Sequence, residues 1–505
     1  NKPAYLSTKG GPQGPPFLCL PPSSICPSLI ASMSALFRSL ALLCGFTLAA
    51  GQSIPAQIDV DATKPGLAIP ADFLGISYEK NALVEPHFKP SNSVLIQLHR
   101  NLGAGTLRLG GNKVELTRWQ ADASATLDKA TGLAVIGRTT LDNFYGFLKA
   151  TEWKCLHGIN LSGNQPDSSA DEAAYALKVG GTSILAIELG NEPNLYTNHD
   201  LRKKGYDCPT YLPEVAAAIK VIRARNPGII LAGPATARRP DHWFEDAVAG
   251  LKGQLQIGTS HLYALSGGST NPKSANFPSI ENLLLPATMA KDITMVDEHL
   301  AAAKAAGMRY RLAEFNSVSN GGRTGVSDTF VSALWATDFL FSVAAHGADG
   351  VNFHCNLKPG SYSPISAVKG ETRYTVHPLY YAMLLFHDAG QGRLLPTKVQ
   401  STANLVAHAT LDDSGKVRVV LVNKDLTQEV VATVQVGARF RAGSVQRLTA
   451  PQASSKDGVT YANTAVAADG RWQRTLATEK AVAVHDGRAT VSLPAASAMV
   501  LTITE

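Results

Sequence analysis

Two glutamates stand at the ends of apolar segments in this 505-residue chain. Glu192 lies within Asn191-Glu192-Pro193, after an aliphatic run, and Glu314 follows Tyr310-Arg311-Leu312-Ala313. Two carboxyl groups about 5 Å apart can cleave a glycosidic bond with retention of configuration, because one protonates the leaving oxygen while the other attacks the anomeric carbon. The residues alone predict the pair without deciding which glutamate has which role.

Both glutamates are predicted at the carboxyl ends of buried strands. Residues 182–187 are rich in aliphatic side chains, as in a strand buried on both faces, and Gly190 ends that strand. Pro193 prevents further strand pairing because it has no N–H to donate. α/β barrels place their chemistry at this end of their strands. The alternative, two unrelated loop acids neutralised by arginine or solvent, does not explain why both follow such segments.

The pattern between Phe73 and Ala389 alternates apolar runs with helix-period segments, which predicts βα units around a parallel sheet. We count eight units, the number of the TIM barrel, and place this (β/α)8 domain at residues 71–390. In this count Glu192 follows the fourth strand and Glu314 ends the seventh. The two therefore lie nearly opposite each other across the barrel mouth.

Short alternating strands without helical signals follow Gly390 and predict an all-β sandwich at residues 391–505. An alternating strand at Ala56 to Val60, within the segment 52–70, is not followed by a helix, and we expect it to join this sandwich. The predicted fold class is therefore α/β: a (β/α)8 TIM barrel with a C-terminal β-sandwich domain.

Residues 1–32 do not begin with Met and are rich in Pro, Gly and Ser, so we expect a leader that is either non-native or disordered. Residues 33–51 contain one basic residue, Arg38, then an apolar run from Ser39 to Ala50 and small residues at its exit, which is typical of a secretory signal peptide. This run is too short to span a bilayer stably. We expect a secreted, extracellular protein without membrane association after signal cleavage.

Charge and cysteine content exclude some partners. Of the 46 basic residues, three lie in the first 52 residues, which hold no acid, so the remainder carries 43 basic against 40 acidic residues. No long basic run remains, and a nucleic-acid partner is not expected. Cys155, Cys208 and Cys355 leave one disulfide possible, and no Cys/His spacing resembles a zinc site. We predict neither a metal nor a cofactor, and the oligomeric state stays open.

Five short segments carry a resemblance to a known family. They are Gly75 to Glu79, Leu107 to Asn112, Glu188 to Asn194, Ala313 to Ser317, and Val351 to His354. In these motifs the chain resembles the retaining (β/α)8 glycosidases and, more narrowly, glycoside hydrolase family 79, which contains β-glucuronidases and heparanases. The resemblance spans residues 55–505, including the β-sandwich. It implies that Glu192 is the acid/base and that Glu314 is the nucleophile.

The same resemblance implies a pocket for the carboxylate of a glucuronic acid, formed by Glu79, Tyr263, Gly321 and Tyr362. A glutamate that faces the substrate carboxylate requires a shared proton, which suits an enzyme that works at acidic pH. Ser319 stands where some relatives carry Tyr. This departure is expected to reshape the pocket around the C4–C6 edge of the sugar.

Several other residues have both a functional and a structural interpretation. Asn191 is predicted to hydrogen-bond the sugar 2-hydroxyl, as such sites require. Asn112 either contacts the sugar or caps a turn, and His354 is either a partner of the sugar or nucleophile or a core histidine. We expect Glu188 to be structural. Trp119 is the best candidate for an aromatic sugar platform.

The function that these predictions favour is a secreted, retaining exo-β-glucuronidase. It would remove terminal β-linked glucuronic acid, with or without a 4-O-methyl group, from glycans by double displacement. Two alternatives stay open. One is an endo-β-glucuronidase of the heparanase type, which needs an open cleft with basic subsites. The other is a non-catalytic carbohydrate-binding barrel, which has no need of two acids.

Overall fold

The computed structural model of the protein describes residues 53–238, 241–368, 370–474 and 480–505. The predicted leader at residues 1–32 and the predicted signal peptide at residues 33–51 lie outside the described residues. Within these described ranges, no helix is both long enough and apolar enough to cross a membrane.

Eight parallel strands close into a barrel, which confirms the predicted TIM-barrel fold. Their side chains are buried and largely apolar, as expected of strands covered on both faces. Each strand pairs with the next along the chain, and the last closes the barrel against the first. The strands are β1 (Gly75–Glu79), β2 (Thr106–Gly110), β3 (Lys154–Ile159), β4 (Ile184–Leu189), β5 (Leu231–Thr236), β6 (Ile257–Leu265), β7 (Arg309–Val318) and β8 (Gly350–Cys355).

Helices cover the outside of the barrel, and several begin at recognisable signals. Proline occupies the first turn of the helices that start at Pro166, Pro286 and Pro378, where its missing N–H costs nothing. The first helix is capped by Asn92, whose side chain accepts the N–H of Leu95. The helices are α1 (Ser93–Arg100), α2 (Arg138–Thr151), α3 (Pro166–Gly180), α4 (Cys208–Arg225), α5 (Trp243–Gly250), α6 (Ile280–Leu284), α7 (Pro286–Ala305), α8 (Phe330–His346) and α9 (Pro378–Ala389).

The C-terminal β-domain includes a strand from before the barrel. Ile54–Val60 pairs in parallel with Val430–Gln435 and antiparallel with Thr397–Gln400. Residues that precede and residues that follow the barrel therefore share one sheet. The other strands of this sheet are Arg393–Leu395, Leu405–Leu411, Val417–Asn423, Ala442–Thr449, Thr460–Tyr461, Lys480–His485, Arg488–Leu493 and Ser497–Thr504.

One face of the β-domain packs on the barrel. Successive side chains of a strand point to opposite faces of the sheet. In the strand 417–423, Val419 and Leu421 lie in the core of the β-domain, whereas Val420 and Val422 belong to the core cluster of the barrel. The helix α8, which follows β7, is buried along nearly its whole length in this cluster. The β-domain therefore supports the barrel wall behind β7.

The three cysteines of the described chain are free thiols. Cys155, Cys208 and Cys355 are all buried, and no disulfide joins them. Burial raises the pKa of Cys208 and of Cys355 to about 11. Because the thiolate is the reactive form of cysteine, these two side chains are chemically inert at neutral pH.

A buried ion pair joins α8 to the β-domain. The carboxylate of Asp338 lies 2.6 Å from Nζ of Lys424 and 3.0 Å from Nε2 of His408. Asp338 and Lys424 are almost completely buried. Burial disfavours the charged carboxylate, but the hydrogen bond from His408 and the charge of Lys424 lower the pKa of Asp338 well below its ordinary range.

Replacing Asp338 with Asn is expected to destabilise the fold by about 3–5 kcal/mol, because Lys424 stays buried without its counter-charge. The folded protein holds the pKa of Asp338 below the unfolded value of about 3.9. The stabilisation that ionised Asp338 contributes is therefore present above the pKa of the unfolded state. It is lost as the pH falls through the pKa that Asp338 has in the folded state. Urea unfolding at pH 6 and at pH 3 measures both effects.

The matched control is Glu371→Gln, since the ion pair of Glu371 with Arg373 is exposed. Exposed pairs contribute less than about 1 kcal/mol. The wild type should lose more stability between pH 6 and pH 3 than Asp338→Asn does. A loss in Asp338→Asn no larger than that of the control would contradict the assigned role.

Candidate active site

The carboxyl ends of β4 and β7 bring Glu192 and Glu314 together. One oxygen of each carboxyl group and a ring nitrogen of His261 all lie within 4.8 Å of one another. Glu192 and Glu314 are 9% and 6% exposed, and both line the same cavity. The separation matches the distance of about 5 Å in retaining glycosidases and is shorter than the range of about 6.5–9.5 Å in inverting enzymes.

Arg108 on β2 forms the base of the site. Its guanidinium donates from Nε to Glu188 at 2.6 Å and from Nη1 to Oε2 of Glu314 at 2.8 Å. Nη2 donates to Oδ1 of Asn191 at 2.9 Å. Burial disfavours the charged guanidinium, but Glu188 and Glu314 raise the pKa of Arg108 above its ordinary value. Glu188 is thus a structural counter-ion, as expected, and Arg108 fixes the predicted nucleophile.

The same guanidinium sets the proton position of His261 on β6. Nη2 of Arg108 lies 3.1 Å from Nε2 of His261, and Nδ1 of that ring lies 2.8 Å from Oε1 of Glu192. A guanidinium can only donate, so Nε2 must accept. The proton of the neutral imidazole is therefore on Nδ1, from which it is donated to Glu192. Arg108 orients Glu314 directly and Glu192 through His261.

Glu314 is held as a carboxylate. Tyr263 on β6 donates to its Oε1 at 2.7 Å, while Arg108 donates to its Oε2. Burial favours the neutral acid, but the positive charges at His354 and Arg108 and the hydrogen bond from Tyr263 lower the pKa of Glu314 far below its ordinary range. Glu314 is therefore ionised at acidic pH, as a nucleophile must be.

His354 at the end of β8 connects Glu314 with Glu79. Its Nδ1 lies 3.5 Å from Oε2 of Glu314, and its Nε2 lies 3.7 Å from Oε1 of Glu79. Burial favours the neutral ring, but the charges of Glu314 and Glu79 raise the pKa of His354. The backbone N–H of Lys113 donates to the other oxygen of Glu79 at 2.8 Å. His354 thus faces the predicted nucleophile and a predicted substrate-binding residue at once.

Replacing Tyr263 with Phe removes one hydrogen bond to Glu314 and should raise the pKa of that carboxyl. A hydrogen bond to a charged group contributes about 1.5–3 kcal/mol, and about 1.4 kcal/mol corresponds to one pKa unit. A higher pKa means that the carboxylate is lost at a higher pH. Because the pKa of Glu314 lies far below its ordinary range in the wild type, kcat/KM of the variant should fall at the acid end of the pH profile, where the wild type is still active. The pH profile on an aryl glycoside measures this shift.

Tyr310→Phe is the control for that experiment. The hydroxyl of Tyr310 is also buried on the barrel, but its partner is the hydroxyl of Ser260 at 2.8 Å and not a carboxyl group. The acidic limb should stay unchanged in this variant. An acidic limb that is also unchanged in Tyr263→Phe would show that the hydrogen bond to Glu314 does not set its ionisation.

The cavity at the barrel mouth has a volume of about 1420 Å³. The predicted binding residues that line it together with both glutamates are Glu79, Asn112, Tyr263, Gly321, His354 and Tyr362. Tyr263 and Tyr362 stand side by side, with ring centroids 5.9 Å apart. Ser319 also lines the cavity, and its hydroxyl accepts the N–H of Gly267 at 3.0 Å. This contact joins the connections after β6 and β7.

Asn191 lies beneath the cavity wall. It is 3% exposed, its Oδ1 accepts from Arg108, and its Nδ2 donates to Oδ1 of Asn112 at 3.1 Å. If Asn191 donates a hydrogen bond to a sugar 2-hydroxyl, it must therefore use the second hydrogen of its Nδ2 group. The exposed side chain of Asn112 connects this amide to the cavity surface.

Of the two interpretations of Trp119, a sugar platform or a packing residue, the structure supports the packing residue. Its indole N–H donates to Asp171 at 2.7 Å, its ring contacts Tyr175, and the residue is 7% exposed. The segment around it forms a small sheet of Thr117–Trp119, Thr126–Leu127 and Ala134–Ile136. Trp119 therefore packs the connection between β2 and α2 against α3 instead of facing a sugar.

Comparisons with known proteins agree with this geometry. Residues 407–500 match the family model described as the glycosyl hydrolase family 79 C-terminal beta domain. A beta-glucuronidase of Neurospora crassa is 26% identical over 432 residues, which are 73% of this chain and 74% of the relative. The chain is a glycoside hydrolase, and its C-terminal domain matches that of family 79.

A second beta-glucuronidase and two solved barrel structures are also similar to this chain. The beta-glucuronidase of Aspergillus niger is 25% identical over 412 residues, 69% of this chain and 73% of the relative. A 4-O-α-L-rhamnosyl-β-D-glucuronidase of Fusarium oxysporum, solved with Rha-GlcA, has a TM-score of 0.76 at 20% identity and covers 88% of this chain and 100% of that structure. A family 51 arabinofuranosidase of Xanthomonas axonopodis pv. citri has a TM-score of 0.68 at 16% identity, with 89% and 100% covered. These structures confirm the fold.

Sequence reasoning missed two polar residues at the centre of this site, Arg108 and His261. Arg108 is a lone charge between Leu107 and Leu109 in an apolar strand, and that contrast is the signal that could have indicated it. On β6 the sequence predicted a substrate contact for Tyr263 and not for His261, yet both line the cavity. Two residues apart on β6, they point to the same face of the strand.

Glu192, His261 and Glu314 also have the ligand types of a divalent metal site. In this glycosidase, however, the guanidinium of Arg108 already donates to His261 and Glu314. A second positive charge in the same place would be repelled by the guanidinium. The donor set fits a pair of catalytic acids better than a metal centre.

Proposed function

We propose that this family 79 enzyme is a retaining exo-β-glucuronidase that hydrolyses terminal β-linked glucuronic acid from glycans. The observation that carries the proposal is the pair Glu192 and Glu314, with an oxygen of each within 4.8 Å of the other. This distance supports double displacement, because an inverting enzyme needs room for a water molecule between its acids. Relatives named beta-glucuronidase support the substrate class.

In the first step Glu314 attacks the anomeric carbon while Glu192 gives its proton to the leaving oxygen. Oε1 of Glu192 accepts the N–H of His261, which leaves Oε2 to carry that proton. The bond to the leaving group breaks as the bond to Glu314 forms. In the second step Glu192 takes a proton from water, and the hydroxide attacks the same carbon and releases Glu314.

The surroundings of Glu314 support a substrate that bears a carboxylate. His354, Tyr362 and the backbone of Gly321 line the cavity next to the nucleophile and supply hydrogen-bond donors. Glu79 in the same wall must share a proton with a glucuronate, since two adjacent carboxylates repel each other. Binding of the substrate should therefore weaken as the pH rises.

We also propose secretion, which is supported by the apolar run from Ser39 to Ala50.

The test is hydrolysis of aryl β-glucuronide, β-glucoside, β-galactoside and α-L-arabinofuranoside by the purified enzyme. We expect kcat/KM for the glucuronide to exceed the others by about 10²-fold or more, because polar groups placed for a carboxylate stay unpaired with the other sugars. NMR of the first product should show the β-anomer. A preference for a neutral sugar, or release of the α-anomer of glucuronic acid, would overturn the proposal.

A second candidate, an endo-acting β-glucuronidase, is favoured by the size and charge of the cavity. Its volume of about 1420 Å³ exceeds the range of about 300–1,000 Å³ that is typical of small-molecule sites. Arg238 lines it beside β5, Lys291 beside β6 and Lys358 beside β8. Asp292 is the counter-ion of the first two, so the exposed Lys358 is the one of the three that is best placed to hold an acidic sugar beyond the cleaved bond. Digestion of heparan sulfate distinguishes the modes, because an endo enzyme shortens the chains rapidly and an exo enzyme releases monosaccharides.

A further inference from the structure

Glu115 is a buried carboxylate beneath the catalytic centre, in the connection that follows β2. Its Oε1 accepts the backbone N–H of Asn191 at 2.8 Å and the hydroxyl of Tyr196 at 2.5 Å. Its Oε2 accepts the backbone N–H groups of Leu161 at 3.1 Å and Ser162 at 2.8 Å. The residue is 6% exposed and does not line the cavity. One side chain thus joins the ends of β3 and β4.

The backbone that Glu115 holds has an unusual conformation. Glu192 has a φ of +51°, a left-handed value that is uncommon for a residue with a side chain and costs free energy. The N–H of Glu192 donates to the carbonyl of Ala235 at 2.8 Å, and the preceding N–H donates to Glu115. These two hydrogen bonds hold the backbone of Glu192 in this conformation. One comes from the β5 side and the other from the side of Glu115.

Gly190 shows how closely the turn fits around Glu115. Gly190 has a φ of +73°, and a Cβ there would lie 2.6 Å from the hydroxyl of Tyr196 and 3.0 Å from Oε1 of Glu115. Burial and the charge of Glu115 raise the pKa of Tyr196 well above its ordinary value, so that its hydroxyl stays a donor. The backbone of the three residues before Pro193 therefore packs closely against the carboxylate of Glu115.

We propose that Glu115 is a positioning residue for the acid/base. It holds the turn so that the carboxyl group of Glu192 meets Nδ1 of His261 and faces the leaving oxygen. Glu115 acts through the backbone and does not touch the substrate. The inference rests on the proposed role of Glu192 but not on the identity of the sugar.

The test compares Glu115→Gln with the wild type on two substrates that differ only in the leaving group. An amide has one acceptor oxygen instead of two, so that hydrogen bonds to the turn are lost. With a phenyl leaving group, which requires protonation, kcat/KM should fall by about 10²-fold, the effect of misplacing a catalytic group by about 1 Å. With a 2,4-dinitrophenyl leaving group, which departs without a proton, kcat/KM should fall less than about 5-fold. Glu192→Ala should show the same selective pattern.

Two further variants keep the test decisive. Tyr196→Phe removes one hydrogen bond from the same carboxylate and replaces Glu115→Gln if that protein does not fold. Glu172→Gln breaks another buried carboxylate cluster, with Lys80 at 2.6 Å and His157 at 2.8 Å, and should affect both substrates equally. Equal losses on both leaving groups in Glu115→Gln and Tyr196→Phe would overturn the proposal. Both leaving groups are attached to the sugar that the wild type prefers, so an error in the sugar assignment does not affect the result.

Discussion

Glu314→Gln is expected to lower kcat on an aryl glycoside by at least about 10⁴-fold, because an amide cannot form the glycosyl-enzyme. The fold should survive, since the amide oxygen can still accept from Arg108 or Tyr263, which contact the wild-type carboxylate at 2.8 and 2.7 Å. The measurement is steady-state kinetics, combined with mass spectrometry of the enzyme after reaction with an activated 2-fluoro-glycoside. The wild type should carry one label on the peptide that contains Glu314, and the variant should carry none.

Glu298→Gln is the control, because Glu298 is an exposed glutamate on α7 that contacts neither catalytic acid. This variant should retain wild-type kinetics and labelling. Near-normal turnover by Glu314→Gln, or a label on Glu192, would contradict the assignment of nucleophile and acid/base.

Arg108→Lys is expected to lower kcat/KM by about 10³-fold and to destabilise the protein. An ammonium group lacks the planar fork by which Arg108 reaches Glu188, Glu314 and Asn191 at once. The acceptors that lose their hydrogen bond from Arg108 stay buried, and a broken buried ion pair lowers the free energy of unfolding by about 3–5 kcal/mol. His261 would also lose the donor that keeps its proton on Nδ1. Kinetics and thermal unfolding measure the two effects separately.

Arg311→Lys is the matched control for this experiment. Arg311 is a second buried guanidinium of the barrel, on β7, and its partners are Asn352 at 2.7 Å and backbone carbonyls, among them that of Phe73 at 3.2 Å. Its replacement should destabilise the protein but leave kcat/KM within about 10-fold of the wild type, since no catalytic carboxyl group is involved. If both variants lose activity in proportion to stability, Arg108 is only structural.

The sequence was sufficient to predict the barrel and the position of both glutamates because both follow from local patterns. Strand and helix periods repeat eight times, and the carboxyl ends of parallel strands must meet at one end of a barrel. The separation of Glu192 and Glu314 then depends mainly on which strands carry them. Strands with weaker alternation, such as Ala442–Thr449 with its Gly443 and Ser444, are harder to predict because polar and small residues interrupt the pattern.

The polar network beneath the glutamates could not be predicted in the same way. The two carboxylate partners of Arg108, Glu188 and Glu314, lie 80 and 206 residues further along the chain, and no local pattern connects them with Arg108. Glu115 stands in an irregular connection, where neither strand nor helix period fixes the direction of a side chain. Such contacts depend on the relative rotation of whole strands, which only the three-dimensional structure determines.

The strand Ile54–Val60 has a consequence for synthesis of the protein on the ribosome. Its parallel partner, Val430–Gln435, is translated only after the entire barrel. Translation proceeds at about 5–20 residues per second, so the backbone groups of the early strand stay unpaired for roughly 20–70 seconds. A strand with an apolar face and free edges is a site of aggregation. Chaperone binding during translation is therefore expected at this strand, and truncation near residue 390 should yield an insoluble barrel.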